Sequence, residues 1–259
     1  MSKDNYAVSL DMLRSQLLAM ENAVDEALQK RRQSARQLRE LVTSDANPAA
    51  MTILTALDTL ARTPEAARTN ALRRWSTCFP DDMTDIGLRQ VFVSGSETIR
   101  IWDQARAIFG HRVGMELQAD PREVLTACQE NEDCVGVLGW MTHAGSGQWW
   151  PILNETRYHS LRIIGAWPVF GEDKPSAAVI ANGPIKAGVG KSTILIAHDD
   201  HHKVDRIFAE HDLPVSEFGR ARSLVLFEIP AGFDEEDPRL DAARKAGLDG
   251  LRVVGALPL

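Results

Sequence analysis

The N-terminal region constrains the fold most, because residues Ala7 to Val42 include neither Gly nor Pro. Within this run, apolar or small residues recur at steps of mostly three or four: Leu10, Leu13, Leu17, Met20, Val24, Leu28, Ala35, Leu38 and Val42. This spacing predicts one long helix with a single apolar stripe. A lone helix of that length cannot bury its stripe, so we expect partner helices or a second subunit, and therefore a homodimer.

Two shorter helices are predicted to complete a helical N-terminal segment. They cover residues 49–62 and 64–79, and Pro64 is favourable at the start of the second. We expect Pro80, followed by Asp81 and Asp82, to end this segment.

The central segment alternates between strand and helix patterns. Strands are predicted at Arg89–Gly95, Arg112–Gln118 and Cys134–Met141, with an amphipathic helix at Glu97–Gly110. A second helix follows Asp120, which is a suitable N-cap before Pro121. The order βαβαβ predicts a small parallel sheet with helices packed against it. A polar loop and a further strand starting at Leu161 follow.

The last segment has the order βαββαβ, which is that of a ferredoxin-like unit. Its predicted strands begin near Lys191, Val215, Ser223 and Leu248, with helices after His201 and after Asp237. The chain is therefore predicted to be α/β (α+β), with domains at residues 1–86, 87–172 and 173–259. The sequence LRIIGAWP (Leu161–Pro168) returns as LRVVGALP (Leu251–Pro258), which suggests two strands with similar roles.

Composition excludes several classes of function. The chain has 259 residues and a formal net charge of -7, and a protein that binds nucleic acid through its backbone needs a basic surface instead. No segment has the apolar length of a membrane span, and no signal peptide is visible. The three cysteines have no CxxC spacing. We expect a reduced cytoplasmic protein with neither nucleic-acid nor membrane partners.

The sequence KAGVGKST (Lys186–Thr193) resembles a phosphate-binding loop. Such a loop lies between a strand and a helix, because the helix N-terminus forms much of the anion site. The residues from Ser192 onwards have a strand pattern instead. We therefore favour a Gly-rich linker over a nucleotide site, and expect no cofactor.

Three stretches of the chain resemble the bifunctional chorismate mutase–prephenate dehydratase family. LDMLRSQLLAMENAVDEALQKRRQSARQL is similar to the first helix of the all-helical chorismate mutases, and VFVSGSETIRIWDQARAIFG to the opening of prephenate dehydratase. The C-terminal residues, closing with VVGALP, are similar to an ACT domain. QWWPILNE and LRIIGAWP are typical of bacterial chorismate mutase-type proteins with a shortened dehydratase-like tail.

This resemblance implies conversion of chorismate to prephenate in aromatic amino-acid biosynthesis. The rearrangement is unimolecular, so the protein needs neither a nucleophile nor a metal, but must hold a small dicarboxylate and stabilise charge on the breaking ether oxygen. Arginine suits this task because its fork binds a carboxylate through two hydrogen bonds. The resemblance assigns this role to Arg14, acting across a dimer, and to Arg31, with Arg39 as the nearest further cation.

Other interpretations of these residues stay open. Arg31 also fits an ion pair with Glu26 or Glu40, or a cation reaching solvent at the edge of the stripe, and Arg14 fits an ordinary surface position. Val42 stands where the family has a Lys, and residues 49–62 lack the family's Asp-x-x-Arg-Glu. The dehydratase-like part is too short for dehydratase activity. The alternative function is a non-catalytic dimer that senses a ligand or binds a partner.

Two further clusters contain residue types that often bind ligands. HDDHH (His198–His202), together with His211, has metal-ligand chemistry, but adjacent residues rarely converge on one ion, so we favour a solvated strand-to-helix turn with Asp199 or Asp200 as helix cap. Trp149 and Trp150 fit a ligand pocket, but we favour a pair with one buried and one half-exposed ring.

Overall fold

The computed structural model describes residues 3–42, 47–140, 148–170, 175–183 and 191–257, with the side chains of residues 3–8, 35, 38–42 and 48 outside this set. The chain forms two compact units, Met1–Ser44 and Asp45–Leu259. The first unit contains helix α1 (Lys3–Val42), an unbroken helix of 40 residues. The predicted long helix is confirmed, and its continuity follows from the absence of Gly and Pro.

The second unit is built of helices and one mixed sheet, so the predicted α/β class is confirmed. Its helices are α2 (Pro48–Ala61), α3 (Arg68–Asp85), α4 (Thr98–Phe109), α5 (Pro121–Glu130), α6 (Val204–Ala209) and α7 (Pro238–Lys245). Its strands are β1 (Gln90–Ser94), β2 (Gly114–Leu117), β3 (Cys134–Gly139), β4 (Leu161–Trp167), β5 (Ala177–Asn182), β6 (Ser192–His198), β7 (Ser216–Ala221), β8 (Leu224–Ile229) and β9 (Asp249–Leu257). Short 3-10 turns lie at Glu65–Ala67, Trp150–Asn154 and Thr156–Tyr158.

Three helices begin with the same local device, an Asn or Asp N-cap followed by Pro. Asn47 accepts hydrogen bonds from two amides of α2, and Asp120 and Asp237 each accept one from the second residue beyond them. The predicted cap at Asp120 is thus confirmed. The predicted helix end at Pro80 is wrong, because α3 continues through Pro80 to Asp85. Phe79, Pro80 and Met83 are all buried, so packing outweighs the lost backbone hydrogen bond.

Within the described residues, the sheet has nine strands in the order β2-β1-β3-β5-β4-β9-β6-β8-β7. Strands β2, β1 and β3 are parallel neighbours, which confirms the predicted parallel segment. Strands β9, β6, β8 and β7 are antiparallel neighbours in the order expected of a ferredoxin-like unit. The strand pairings do not test the domain boundaries expected near residues 86 and 172, which remain a prediction.

Both faces of the sheet are covered. Helices α2, α3 and α4 bury one cluster with the parallel strands, and α6 and α7 bury another with β6, β8 and β9. A third cluster lies beneath both halves of the sheet and contains α5, Trp140, Trp149, Trp150 and Tyr158. Successive side chains of β6 point to opposite faces of the sheet. Ile194 and Ile196 belong to this third cluster, while Leu195 and Ala197 belong to the cluster with α6 and α7.

The two halves of the sheet meet where β4 and β9 pair in parallel through Ile163 and Gly255. A Cβ atom at Gly255 would lie 2.6 Å from both the Cβ and the carbonyl oxygen of Ile163. Only glycine therefore permits this approach of the two backbones. The repeated LRIIGAWP and LRVVGALP sequences are these two strands.

None of the helices in the described part of the chain combines the length and the apolar composition needed to cross a bilayer.

We predict that Gly255→Ala destabilises the protein by about 1–3 kcal/mol, because the added methyl group must displace backbone atoms of Ile163. Urea unfolding measures the change. Gly219→Ala is the matched control, since a Cβ there meets Trp150 at 3.5 Å, an ordinary contact distance. Equal stability of the two variants would contradict the close approach at the junction.

Candidate functional site

The arginines predicted to bind substrate lie on α1. Arg14 is exposed, and its Nη1 lies 3.5 Å from Oδ1 of Asp11, one turn earlier. Arg31 is half-buried. Arg14 and Arg31 are separated by 17 helical residues, which corresponds to about 25 Å along the axis. One copy of α1 therefore does not bring them together on one small dicarboxylate. Arg39 belongs to α1, but its side chain lies outside the described residues.

Much of the apolar stripe of α1 is exposed. Six apolar side chains are 56–67% exposed: Met12, Leu13, Leu17, Leu18, Met20 and Val24. The charges of the helix are also unevenly distributed. Acidic residues predominate up to Glu26, and five cations follow: Lys30, Arg31, Arg32, Arg36 and Arg39. An exposed apolar stripe on a helix whose two halves carry opposite charge is suited to protein contacts.

Helix α2 lies on the sheet. Leu57 is completely buried and occupies the space above Gly165, where any Cβ atom would overlap it. Ile53 and Leu54 of the same helix are also completely buried. The apolar face of α2 is thus used by the sheet, and this helix lacks the charged residues of the family's second helix.

A cleft of about 700 Å³ opens after β1, at the carboxyl ends of the parallel strands. It is lined by residues 96–100, Asp103 and Gln104, around the beginning of α4. Gly95 and Gly139 approach closely here, since a Cβ at Gly95 would lie 3.3 Å from the amide nitrogen of Gly139. Arg100 pairs with Glu97 at 3.2 Å on the cleft wall. Hydroxyls, an amide and this ion pair suit a small polar ligand.

The KAGVGKST sequence lies partly outside the described residues, from Lys186 to Gly190. Its last two residues, Ser192 and Thr193, are buried in β6, so the predicted strand is confirmed. The hydroxyl of Thr193 donates to the carbonyl of Ala231 at 2.6 Å and accepts from the amide of Phe233 at 2.8 Å. Ser192 and Thr193 thus belong to β6, and Thr193 also bonds this strand to the loop that follows β8. The expectation that no nucleotide binds here stays a prediction.

Trp149 and Trp150 are both buried, at 4% and 1% exposure. The expectation that one ring is half-exposed is therefore wrong. Trp149 donates its Nε1–H to the carbonyl of Gly139 at 2.8 Å, while Trp150 packs beside Gly219. The sequence did not show that β7 passes beneath this segment, and that strand provides the missing cover.

The HDDHH sequence begins at the last residue of β6, His198, and continues as a turn. Asp199 is buried, and its carboxylate accepts from the amide of Lys203 at 2.6 Å and from Arg220 at 3.3 Å. Burial by itself would raise the pKa of Asp199, but hydrogen bonds from Lys203, Arg220 and Val204 outweigh it and lower the pKa. Within the described ranges, His, Cys, Asp and Glu side chains do not gather in threes as a metal site would require.

The sequence did not reveal two arginines on neighbouring strands, the half-buried Arg162 of β4 and the buried Arg252 of β9. Arg252 donates to the carbonyls of Leu153 and His159, and Arg162 also donates to His159. Burial and, to a smaller extent, the charge of the adjacent Arg162 together lower the pKa of Arg252 to about 10, although Glu235 acts in the opposite direction. Each arginine follows the leucine that begins one of the two repeated sequences, LRIIGAWP and LRVVGALP. This repeat is the sequence feature from which the pair could have been recognised.

No family model matches the chain, and no curated protein matches it. Two solved structures are distantly similar. One is described as "GqqA- a novel type of quorum quenching acylases", with 16% identity, a TM-score of 0.48, and coverage of 67% of this chain and 96% of that one. The other is a prephenate dehydratase from Streptococcus mutans, with 12% identity, a TM-score of 0.40, and coverage of 65% and 97%. A distant likeness of fold does not fix an activity.

We predict that Asp199→Asn lowers the free energy of unfolding by about 1–3 kcal/mol at pH 7, because buried donors lose their charged acceptor. The folded-state pKa is depressed below the ordinary value of 3.8. The advantage of the wild type is therefore present above pH 3.8 and is lost as the pH falls through the folded-state pKa. Denaturant unfolding from pH 7 to pH 2 measures it. Asp200→Asn, an exposed neighbour, is the control; equal losses in both variants would contradict the assignment.

Proposed function

We propose that this chain is a homodimeric chorismate mutase-like protein of aromatic amino-acid biosynthesis, with its substrate site shared between the α1 helices of two copies. The observation that carries the proposal is the position of Arg14 and Arg31 on α1. The midpoint of the helix lies between Asn22 and Ala23, and the two arginines are equally far from it. When two copies of α1 lie antiparallel with full overlap, Arg14 of each copy is level with Arg31 of the other.

The surface of α1 supports this arrangement. Antiparallel pairing places the acidic half of each helix beside the basic half of the other, and parallel pairing would place like charges together. The exposed apolar stripe, including Leu13, Leu17 and Val24, provides the surface to be buried. A second copy of this chain therefore satisfies both the charge pattern and the apolar pattern of the helix.

The chemistry follows from two cations at one level of the helix pair. Each guanidinium binds one carboxylate of chorismate, which favours the compact conformer required for rearrangement to prephenate. Neither a nucleophile nor a cofactor takes part. The site departs from the family at Val42, where the family's Lys is missing, so charge on the ether oxygen must be stabilised by the arginines.

The alternative is a non-catalytic dimer derived from that family, which senses a ligand or binds a partner. The observation that favours it is the packing of α2, since its apolar face is used by the sheet and its acid, Asp58, is paired with Arg62 at 2.6 Å. The cleft beside α4 then is the candidate ligand site. Absence of chorismate turnover by the full-length dimer, even at high protein concentration, would select this alternative.

We predict that Leu17→Asp converts the dimer to a monomer at micromolar concentration, because a carboxylate would enter the apolar stripe. Sedimentation velocity of the full-length chain measures the change. Ile99→Asp is the control, since Ile99 is 80% exposed but lies on α4. Raised salt should weaken the dimer as well. A wild-type monomer at these concentrations would contradict the proposal.

We predict that Arg14→Ala and Arg31→Ala each reduce chorismate turnover about 100-fold or more. Mixing the two inactive variants, with exchange of subunits, should restore about a quarter of wild-type activity, because half of the dimers are mixed and each mixed dimer has one intact site. Loss of chorismate absorbance measures turnover. Arg74→Ala, an exposed cation on α3, is the control. Active single variants, or a mixture without recovery, would contradict a shared site.

A further inference from the structure

Three polar side chains from distant parts of the chain meet beside the end of β6. Nδ1 of His198 lies 3.3 Å from the hydroxyl of Ser223, and Nε2 of the same ring lies 3.3 Å from the side-chain amide of Asn154. All three residues are half-buried. A hydroxyl on one ring nitrogen and an orienting group on the other is the arrangement that activates a nucleophile.

The sheet holds these groups in place. His198 pairs with Leu224 in the ladder between β6 and β8, and the amide of Asp199 donates to the carbonyl of Ser223 at 2.7 Å. Asn154 ends the 3-10 turn Trp150–Asn154, whose carbonyl at Leu153 accepts from the buried Arg252. The hydroxyl, the ring and the amide are therefore positioned by three fixed elements.

Two residues near this cluster in sequence have constrained backbone. In the described part of the chain, three residues other than glycine have a positive φ, and two of these are His202 at 51°, four residues after His198, and Arg222 at 56°. Arg222 immediately precedes Ser223 in the hairpin turn between β7 and β8. Gly250, at 63°, leaves space beside the His198 ring, since a Cβ there would lie 3.3 Å from Cδ2. Such conformations concentrate at functional sites.

We propose that Ser223, His198 and Asn154 form a nucleophilic site for small carboxylic esters, separate from the α1 arginines. In the working state, the amide oxygen of Asn154 accepts the proton of His198 Nε2, and Nδ1 accepts the hydroxyl proton of Ser223. This state needs a half-turn of the Asn154 amide, which exchanges its oxygen and nitrogen positions. Ser223 and His198 are the catalytic residues, and Asn154 is a positioning residue.

The reaction uses water as its only co-reactant. The Ser223 oxygen bonds to the acyl carbon while its proton passes to His198 Nδ1, and that proton then leaves with the departing alcohol. Water next attacks the acyl-serine, giving a proton to Nδ1, and the acid is released as the proton returns to Ser223. One ester and one water thus yield one acid and one alcohol.

Diisopropyl fluorophosphate tests the nucleophile in the full-length protein. Attack by Ser223 forms an oxygen–phosphorus bond and releases fluoride, and the adduct is located by peptide mass spectrometry. We expect one adduct at Ser223, none in Ser223→Ala, and labelling slowed about 100-fold in His198→Gln. Ser216→Ala, an exposed serine on the same hairpin, should label like the wild type. A folded wild type that is not labelled, or labelling that persists in Ser223→Ala, overturns the proposal.

Variants at Asn154 test the role of the positioning residue. Asn154→Asp can only accept a proton from Nε2, so it should keep or increase the rate of labelling and of p-nitrophenyl acetate hydrolysis. Asn154→Leu should lower both rates about 10-fold or more. Fast labelling in Asn154→Leu, or slow labelling in a folded Asn154→Asp, overturns the assigned proton arrangement. The proposed chorismate site uses residues of α1 and none of these three residues. Presence or absence of chorismate turnover therefore neither supports nor contradicts the nucleophilic site.

Discussion

The close approach of β4 and β9 at Ile163 and Gly255 is the contact on which the second unit depends. On one side of it lies the parallel segment with β5, and on the other the ferredoxin-like strands. Without this pairing, each half would present an open edge to water, since a strand edge has unpaired backbone groups. The absence of a side chain at Gly255 is therefore required by the pairing of β9 with β4 and not by the pairing of strands within either half of the sheet.

Next to this contact, charged side chains bond to β4 and β9. Glu235 accepts from the amide of Val253 at 3.1 Å, while Arg162 lies 3.7 Å from the same carboxylate. Arg252 reaches the carbonyls of the 3-10 segment beneath the sheet. Burying two adjacent cations is costly, and the lowered pKa values of both arginines express that cost. The carbonyls of Leu153 and His159 and the carboxylate of Glu235 offset this cost. The bonds from Arg252 also join the 3-10 segment that contains Asn154 to β9.

Helix α1 differs from the rest because its stripe and its charges are at the surface. The apolar side chains from Met12 to Val24 are more than half exposed. Helix propensity alone rarely keeps such a helix folded in water, so its stability depends on contacts made by the stripe. By contrast, the contacts among Ser223, His198 and Asn154 are all made within one chain.

The sequence by itself determined the local elements. The Gly-free and Pro-free run specified α1, the Asp120 and Asp237 caps specified helix starts, and the run of apolar and β-branched residues after Ser192 specified β6. These features depend on neighbours along the chain. The sequence did not predict that α3 continues through Pro80, because burial from other elements overrides the local helix stop.

Only the tertiary structure decided which distant residues meet. Asn154, His198 and Ser223 come together because the 3-10 segment, β6 and the β7–β8 hairpin converge, and no periodicity records that convergence. The same holds for Arg162 and Arg252, whose shared LR sequence showed a similarity but gave no contact. The burial of Trp149 and Trp150 likewise required β7 to lie beneath them. Local patterns fix helices and strands through nearest-neighbour sterics and hydrogen bonds, whereas a site is fixed by the long-range packing that closes the sheet.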